Sequence, residues 1–219
     1  MTYKITALKV QKRNPNRVNV YLDGEFAFGL SRIVAAWLQE GQEIDQEKLS
    51  ALQAEDKIEK AYQHAVRFLS YRIRSEAEVR CKLQEIHLDQ VTMEIIINRL
   101  RHNRLLDDED FAQAWVENRC NFRPRGRRYL ASELRQKGIS EEIINKTLDH
   151  LDEEALANKA ASKYFRRIKN LDWPDFRRKL YGYLARRGFE YQIISSVVAH
   201  IWAEQVSNSP TDDTNTVEE

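Results

Sequence analysis

From residue 55 onward the chain repeats itself about every fifty residues, and no other feature constrains its fold as tightly. When the segment around 120–151 is moved forward by 50 positions, Leu130 falls on Leu180, Leu134 on Leu184 and Gly138 on Gly188. Ile139 then meets Phe189, Ile144 meets Ile194, Leu148 meets Val198 and Leu151 meets Ile201. Moved back by 51, Leu130 meets Val79, Leu134 meets Leu83, Ile139 meets Leu88, Ile144 meets Met93, Leu148 meets Ile97 and Leu151 meets Leu100. Neither comparison needs a gap. The matched apolar residues recur at helical spacing, so each unit reads as three helices whose second and third carry the shared stripe. A unit of this size is marginal alone, and three in tandem gain stability from their neighbours.

Helix punctuation repeats with the stripe. Asp89, Ser140 and Glu190 share one position before the third helix of each unit. There Asp and Ser can accept from free first-turn N–H groups, and Glu adds favourable charge. Ser75-Glu76-Ala77-Glu78 has capping-box spacing, with Gly126 in the matching place. Gly138 and Gly188 close the second helices, where left-handed backbone favours glycine; His87 departs from this.

The expected fold is therefore mostly α: three tandem three-helix, helix-turn-helix-like modules in an elongated curved array. The boundaries are an N-terminal strand and short-helix segment at 1–54, module one at 55–104, module two at 105–151, module three at 152–206, and a disordered acidic tail at 207–219. Residues 1–30 read as a three-stranded meander. Ile5–Gln11 precedes the turn former Asn14-Pro15-Asn16, Val18, Val20 and Leu22 alternate with polar residues, and Asp23-Gly24 makes a tight hairpin. Ser31 reads as the N-cap of a short helix from Arg32 to Gln39 that stops at Gly41, and Asp45 as the cap of the next.

The net charge of +1 conceals segregation. Arg119, Arg123, Arg125, Arg127, Arg128, Arg135 and Lys137 stand against one acid, Glu133, and Lys159, Lys163, Arg166, Arg167 and Lys169 against none. Arg177, Arg178, Lys179, Arg186 and Arg187 thicken the matching helix of module three. Acids gather at 40–47, 107–110, 141–154 and in the tail. Such a pattern suits a polyanion or a partner of complementary charge, although on helical proteins most charges are solvated faces. Arg72 and Arg74 correspond to Arg123 and Arg125 under the repeat. Both pairs sit on loops beside a helix start, a geometry fit for phosphate or carboxylate, or for bridging carbonyls and acids of neighbouring helices. Arg128 and Arg135, seven apart, share a face opposite Leu130. The interleaved Tyr164, Phe165, Trp173, Phe176, Tyr181 and Tyr183 could stack on single-stranded nucleic acid, but aromatics at helical spacing read first as core.

Catalytic and cofactor signatures are missing. There is no phosphate-cradling glycine loop or GxSxG, and His64, His87, His102, His150 and His200 lack ligand spacing. Asp107, Asp108, Glu109 and Asp110 read as helix-start charges rather than a metal site. Cys81 and Cys120 read as reduced thiols. No enzyme activity, cofactor or metal is expected, and no membrane partner: there is no transmembrane run and no signal core.

Three segments carry a family resemblance. They are Tyr71-Arg72-Ile73-Arg74-Ser75-Glu76 with Arg80-Cys81-Lys82-Leu83, then Leu106-Asp107-Asp108-Glu109-Asp110-Phe111-Ala112 with Trp115-Val116, and Arg123-Pro124-Arg125-Gly126 with Glu133-Leu134-Arg135-Gln136-Lys137-Gly138-Ile139. Their order and spacing resemble the RecX family over about 55–205. Module three is weaker, with Asn170-Leu171-Asp172-Trp173-Pro174 replacing the Arg-Pro-Arg-Gly loop. The N-terminal strands look like an extension found in part of the family. The resemblance implies a cytoplasmic regulator of recombination, DNA repair and the SOS response. It would bind the RecA recombinase, chiefly its filament on single-stranded DNA, and restrain ATPase, strand-exchange and coprotease activities. A monomer is expected, with single- or double-stranded DNA as a possible further contact. Arg72, Arg74, Arg123, Arg125, Arg127, Arg128, Arg135, Lys163, Arg166, Arg167, Lys169, Arg177, Arg178, Arg186 and Arg187 are the candidate contact residues. The competing reading is a direct DNA-binding helix-turn-helix protein. Its third helices, however, are poor in the Asn, Gln and Arg that read base edges.

Overall fold

The structure is a computed structural model that describes residues 2–207. The expected tail therefore lies outside the described residues apart from Ser207, which ends the last helix. The chain packs as two compact units, Met1–Asp107 and Asp108–Glu219.

Unit 1 begins with an antiparallel sheet of four strands, β1 (Thr2–Gln11), β2 (Asn14–Leu22), β3 (Glu25–Ser31) and β4 (Glu43–Asp45), in the order β3-β2-β1-β4. Alternation places Val18, Val20 and Leu22 on the buried face, where they join Ile5 and Leu30. Asp23 and Gly24 both take positive φ, as the tight hairpin requires.

Three expectations about this region are corrected. The meander has a fourth strand, because Tyr3 pairs with Ile44 across β1 and β4; a strand of three residues carries no periodic signal. The first turn lies at Lys12-Arg13, not at Asn14-Pro15-Asn16, since Gln11 already pairs with Asn14. Pro15 is tolerated in β2 because pairing with β3 starts only at Arg17, so no ladder bond is asked of its nitrogen. The short helix α1 covers only Arg32–Ala35, and Ser31 makes no side-chain cap. The Ser31 amide instead donates to Asp56 at 2.6 Å.

Asp45 does cap α2 (Gln46–Ser70), accepting from the Lys48 amide at 2.8 Å. This one unbroken helix serves two cores. Its Leu52 joins the sheet, while Ala61, Tyr62 and Ala65 pack with α3 (Glu76–Gln84) and α4 (Gln90–His102). Unit 2 contains α5 (Asp108–Phe122), α6 (Arg127–Gln136), α7 (Glu141–Leu148), α8 (Glu153–Phe165), α9 (Trp173–Ala185) and α10 (Tyr191–Ser207).

The repeat is physical. Val79, Leu130 and Leu180 are each fully buried, as are Leu83, Leu134 and Leu184. Met93, Ile144 and Ile194 are buried too, as are Ile97, Leu148 and Val198. Each such side chain contributes about 1.5–3 kcal/mol of burial, so the conserved stripe supplies one core per module. Of the interleaved aromatics that could have stacked on nucleic acid, Phe176 is fully buried and Tyr164, Phe165, Tyr181 and Tyr183 pack against the core. Trp173 covers it beside Phe176 and Trp202.

The punctuation behaves as its chemistry dictates. Ser75 accepts from the Glu78 amide, Asp89 from Thr92 and Ser140 from Ile143. Gly138 and Gly188 adopt positive φ, and His87 adopts it without glycine's freedom. Ser75 is fully buried. Ser75→Ala is therefore expected to lower the stability of unit 1 by about 1 kcal/mol, read as a shifted urea midpoint at unchanged slope.

Candidate polyanion interface

The candidate cations separate into two kinds: those that hold the protein together and those left free. In unit 1, Arg72 grips Glu78 with two nitrogens, at 2.9 and 3.2 Å, and donates to the Ile73 carbonyl. Arg74 donates to the Phe68 carbonyl and lies over the Phe68 ring at 3.6 Å. Both arginines brace the α2–α3 joint, the carbonyl-and-acid role open to them from the sequence.

In unit 2 the loop 123–126 docks on the end of α9. The Gly126 amide donates to the Arg187 carbonyl at 2.9 Å, and the Arg187 guanidinium donates to the Pro124 carbonyl at 3.0 Å. A Cβ on Gly126 would stand 2.2 Å from the Gly188 carbonyl oxygen, so only glycine fits. Arg127 donates to the Leu148 carbonyl, and its amide donates to Glu153, the first residue of α8. Burial pushes the Glu153 carboxyl above the usual range, against the pull of the Arg127 amide. Arg127 and Arg187 are thus structural ties between modules two and three.

Arg187 is held below the usual arginine range, first by burial and also by the nearby Arg125 and Arg123. Three arginines thus stand close together at this loop. Arg125 lies over the Tyr129 ring at 4.2 Å, and its buried Nε has no partner. Next to it, an open cleft of about 460 Å³ brings Arg128 and Arg186 together with Tyr129, Ser132, Tyr181 and Tyr191. Arg128 and Arg186 are exposed, as are Arg123, Lys163, Arg166, Arg167, Lys169 and Arg177, and none of these eight has a carboxylate partner among the described residues. Arg178 pairs with Asp175 at 2.9 Å, and Arg135 pairs with Glu141.

Several roles had no sequence signal. Glu133 accepts from both Trp115 and Arg119, clamping α5 to α6. Lys159 donates to the Cys120 carbonyl. The third helices spend their long cations internally: Arg99 on Glu59, Arg101 on Glu76 and Lys146 on Glu109. Burial pushes the Cys120 thiol up, which disfavours the thiolate. Among the described residues no His, Cys, Asp and Glu cluster could hold a metal, and no helix is long and apolar enough to cross a membrane.

Family comparisons follow this layout in order. The RecX N-terminal domain model matches residues 3–45, and the first, second and third RecX three-helix domain models match 61–100, 107–148 and 152–198. The Regulatory protein RecX of Bacillus velezensis is 33% identical over 201 residues, covering 89% of this chain and 76% of that protein. The chain belongs to the RecX family.

Other RecX proteins agree. That of Limosilactobacillus reuteri is 34% identical, over 89% of this chain and 75% of its own length. That of Clostridium botulinum is 33% identical, over 89% and 94%. A crystal structure of regulatory protein RecX superposes with a TM-score of 0.76 at 32% identity, covering 89% of this chain and 98% of that one. RecX from Lactobacillus salivarius gives 0.63 at 26% identity, over 68% and 99%. The RecX domain set thus includes the weaker module three and also the N-terminal strands, which precede the span of the sequence resemblance.

Proposed function

We propose that this RecX-family chain binds the RecA recombinase, chiefly its filament on single-stranded DNA, and restrains ATPase, strand exchange and coprotease activity. It does so as a non-enzymatic cytoplasmic monomer. The observation that carries the reading is the set of exposed arginines and lysines in unit 2 without carboxylate partners, gathered partly in the Arg128–Arg186 cleft. Cations spent on internal pairs cannot serve a partner; these can. Tandem modules offer several weak contacts to a repeating target, and linkage multiplies them through effective concentration. A helix-turn-helix reading is disfavoured because Arg99, Arg101 and Lys146 of the third helices are already paired.

The test is a chain with Arg123→Glu, Arg128→Glu and Arg186→Glu, all exposed positions whose reversal spares the core. Assayed for inhibition of recombinase ATPase on single-stranded DNA, it should need at least ~10-fold more protein for half inhibition. Its inhibition should also depend less on salt, since released counterions scale with the phosphates contacted. Arg127 and Arg187 are excluded from the variant because they hold modules two and three together. Full-strength inhibition by a folded triple variant would refute the assignment.

A further inference from the structure

Unit 1 contains a second basic cleft, unrelated to the repeat. It is an open groove of about 940 Å³ between the sheet and the second half of α2. One wall is helical: Lys60, His64 and Arg67 stand four and three residues apart, so they follow one another along one face. The other wall carries Arg17, Arg32 and Ile33. Glu59, the acid in the lining, is buried and paired with Arg99 at 2.6 Å. Asp56 is shared by Arg17 and Lys60, at 3.4 and 2.7 Å, and offsets one of their two charges. Arg32 and Arg67 are exposed and have no carboxylate partner among the described residues. The groove therefore keeps a positive surplus. Ser31 also lines it, with a buried hydroxyl that has no hydrogen-bond partner.

The second observation is apolar. Trp37 is 87% exposed and Ile33 is 58% exposed. Ala36, the residue before Trp37, keeps helical backbone beyond α1 and lines the groove together with Ile33. A bare indole beside a lining residue of a cationic groove is a stacking platform next to a phosphate track. An acidic peptide would satisfy the cations but offer the indole no flat partner. Nucleobases supply one, and stacking tolerates any base.

The geometry points to a single-stranded nucleic-acid site in unit 1, with Arg32, Arg67 and His64 along the phosphates and Trp37 stacked on a base. The site is independent of the recombinase reading and is tested without recombinase.

The full chain, labelled with fluorotryptophan, is followed by fluorine NMR, with the Trp37 resonance assigned by its loss in Trp37→Phe. A thymidine oligonucleotide long enough for a site of about 16 nucleotides is titrated, beside duplex DNA and polyglutamate. The Trp37 resonance should move with the single strand and stay put with polyglutamate. An Arg32→Glu, Arg67→Glu chain should need at least ~10-fold more oligonucleotide for the same shift. Both substituted residues are exposed, and the unmoved resonances of Trp115, Trp173 and Trp202 would report that unit 2 is intact. The proposal is overturned if the oligonucleotide saturates the protein while the Trp37 resonance stays fixed, if polyglutamate moves it equally, or if the double charge reversal leaves the titration unchanged.

Discussion

Alanine at Gly126 is expected to destabilise unit 2 by about 3 kcal/mol or more, at the upper end of what overpacking costs. The added Cβ would lie 2.2 Å from the Gly188 carbonyl oxygen and 2.5 Å from the Phe189 nitrogen. These are backbone atoms, and no side-chain rotation relieves the clash. Separating them breaks the hydrogen bond from the Gly126 amide to the Arg187 carbonyl and withdraws Pro124 from Arg187. Arg187 would then be left near Arg123 and Arg125 with less to hold it. Thermal denaturation followed by near-ultraviolet circular dichroism of the tryptophans in unit 2 measures the effect. Gly182→Ala is the control: its Cβ meets only the mobile end of Arg186, at 3.2 Å, and lies inside α9. Alanine there should be neutral or stabilising by up to about 1 kcal/mol, as helix propensity allows. Equal behaviour of the two variants would show that the loop does not dock on α9 as described.

Asp56→Ala should have a comparable effect in unit 1, about 3 kcal/mol, because it removes a buried carboxylate and strands its donors. The Asp56 side chain accepts from the Ser31 amide at 2.6 Å and pairs with Lys60 at 2.7 Å and Arg17 at 3.4 Å, so it fastens β2 and β3 to α2. Burial alone would raise its pKa. Lys60, the Ser31 amide and Arg17 outweigh burial and hold the carboxyl below its usual 3.8. The sign of the pH dependence follows. The folded state binds the proton less readily than the unfolded state, so the stabilisation is complete above the unfolded value and fades as pH falls through the lower folded one. Hydrogen exchange of β2 and β3 amides should accelerate about 100-fold in the variant near neutral pH, with the gap to the unmodified chain closing only in strong acid. An equal gap at every pH, down through the carboxylate range, would mean that Asp56 ionisation contributes nothing.

Much of the fold was legible in the sequence, and for a local reason. A helix buries one stripe and a strand one face, so core positions recur with the backbone period whatever lies opposite. The alignment of Leu130 with Val79 and Leu180 therefore named three fully buried residues. Caps are equally local, since Ser75, Asp89 and Ser140 reach amides three residues away. The positive φ of Gly138 and Gly188 follows from their place after a helix.

What failed at Ser31 shows the limit of that logic. Its position and chemistry suit a cap, but its amide is taken by Asp56, 25 residues away, and its hydroxyl caps nothing. The candidate cations divide by the same kind of distant contact. Arg127 and Arg128 are neighbours in one helix, indistinguishable by composition. One is spent on the Leu148 carbonyl, and the other faces a cleft with Arg186.

The sequence by itself determined the triplicated helical cores, their caps and the basic character of the second half, because each depends on residues within a few turns of one another. Only the tertiary structure decided which cations are mortar and which are free, that Gly126 must be glycine, and that a cationic groove opens between the sheet and α2. Those outcomes depend on which carbonyl or carboxylate the folded chain brings within about 3 Å of each side chain, a distance no local pattern encodes.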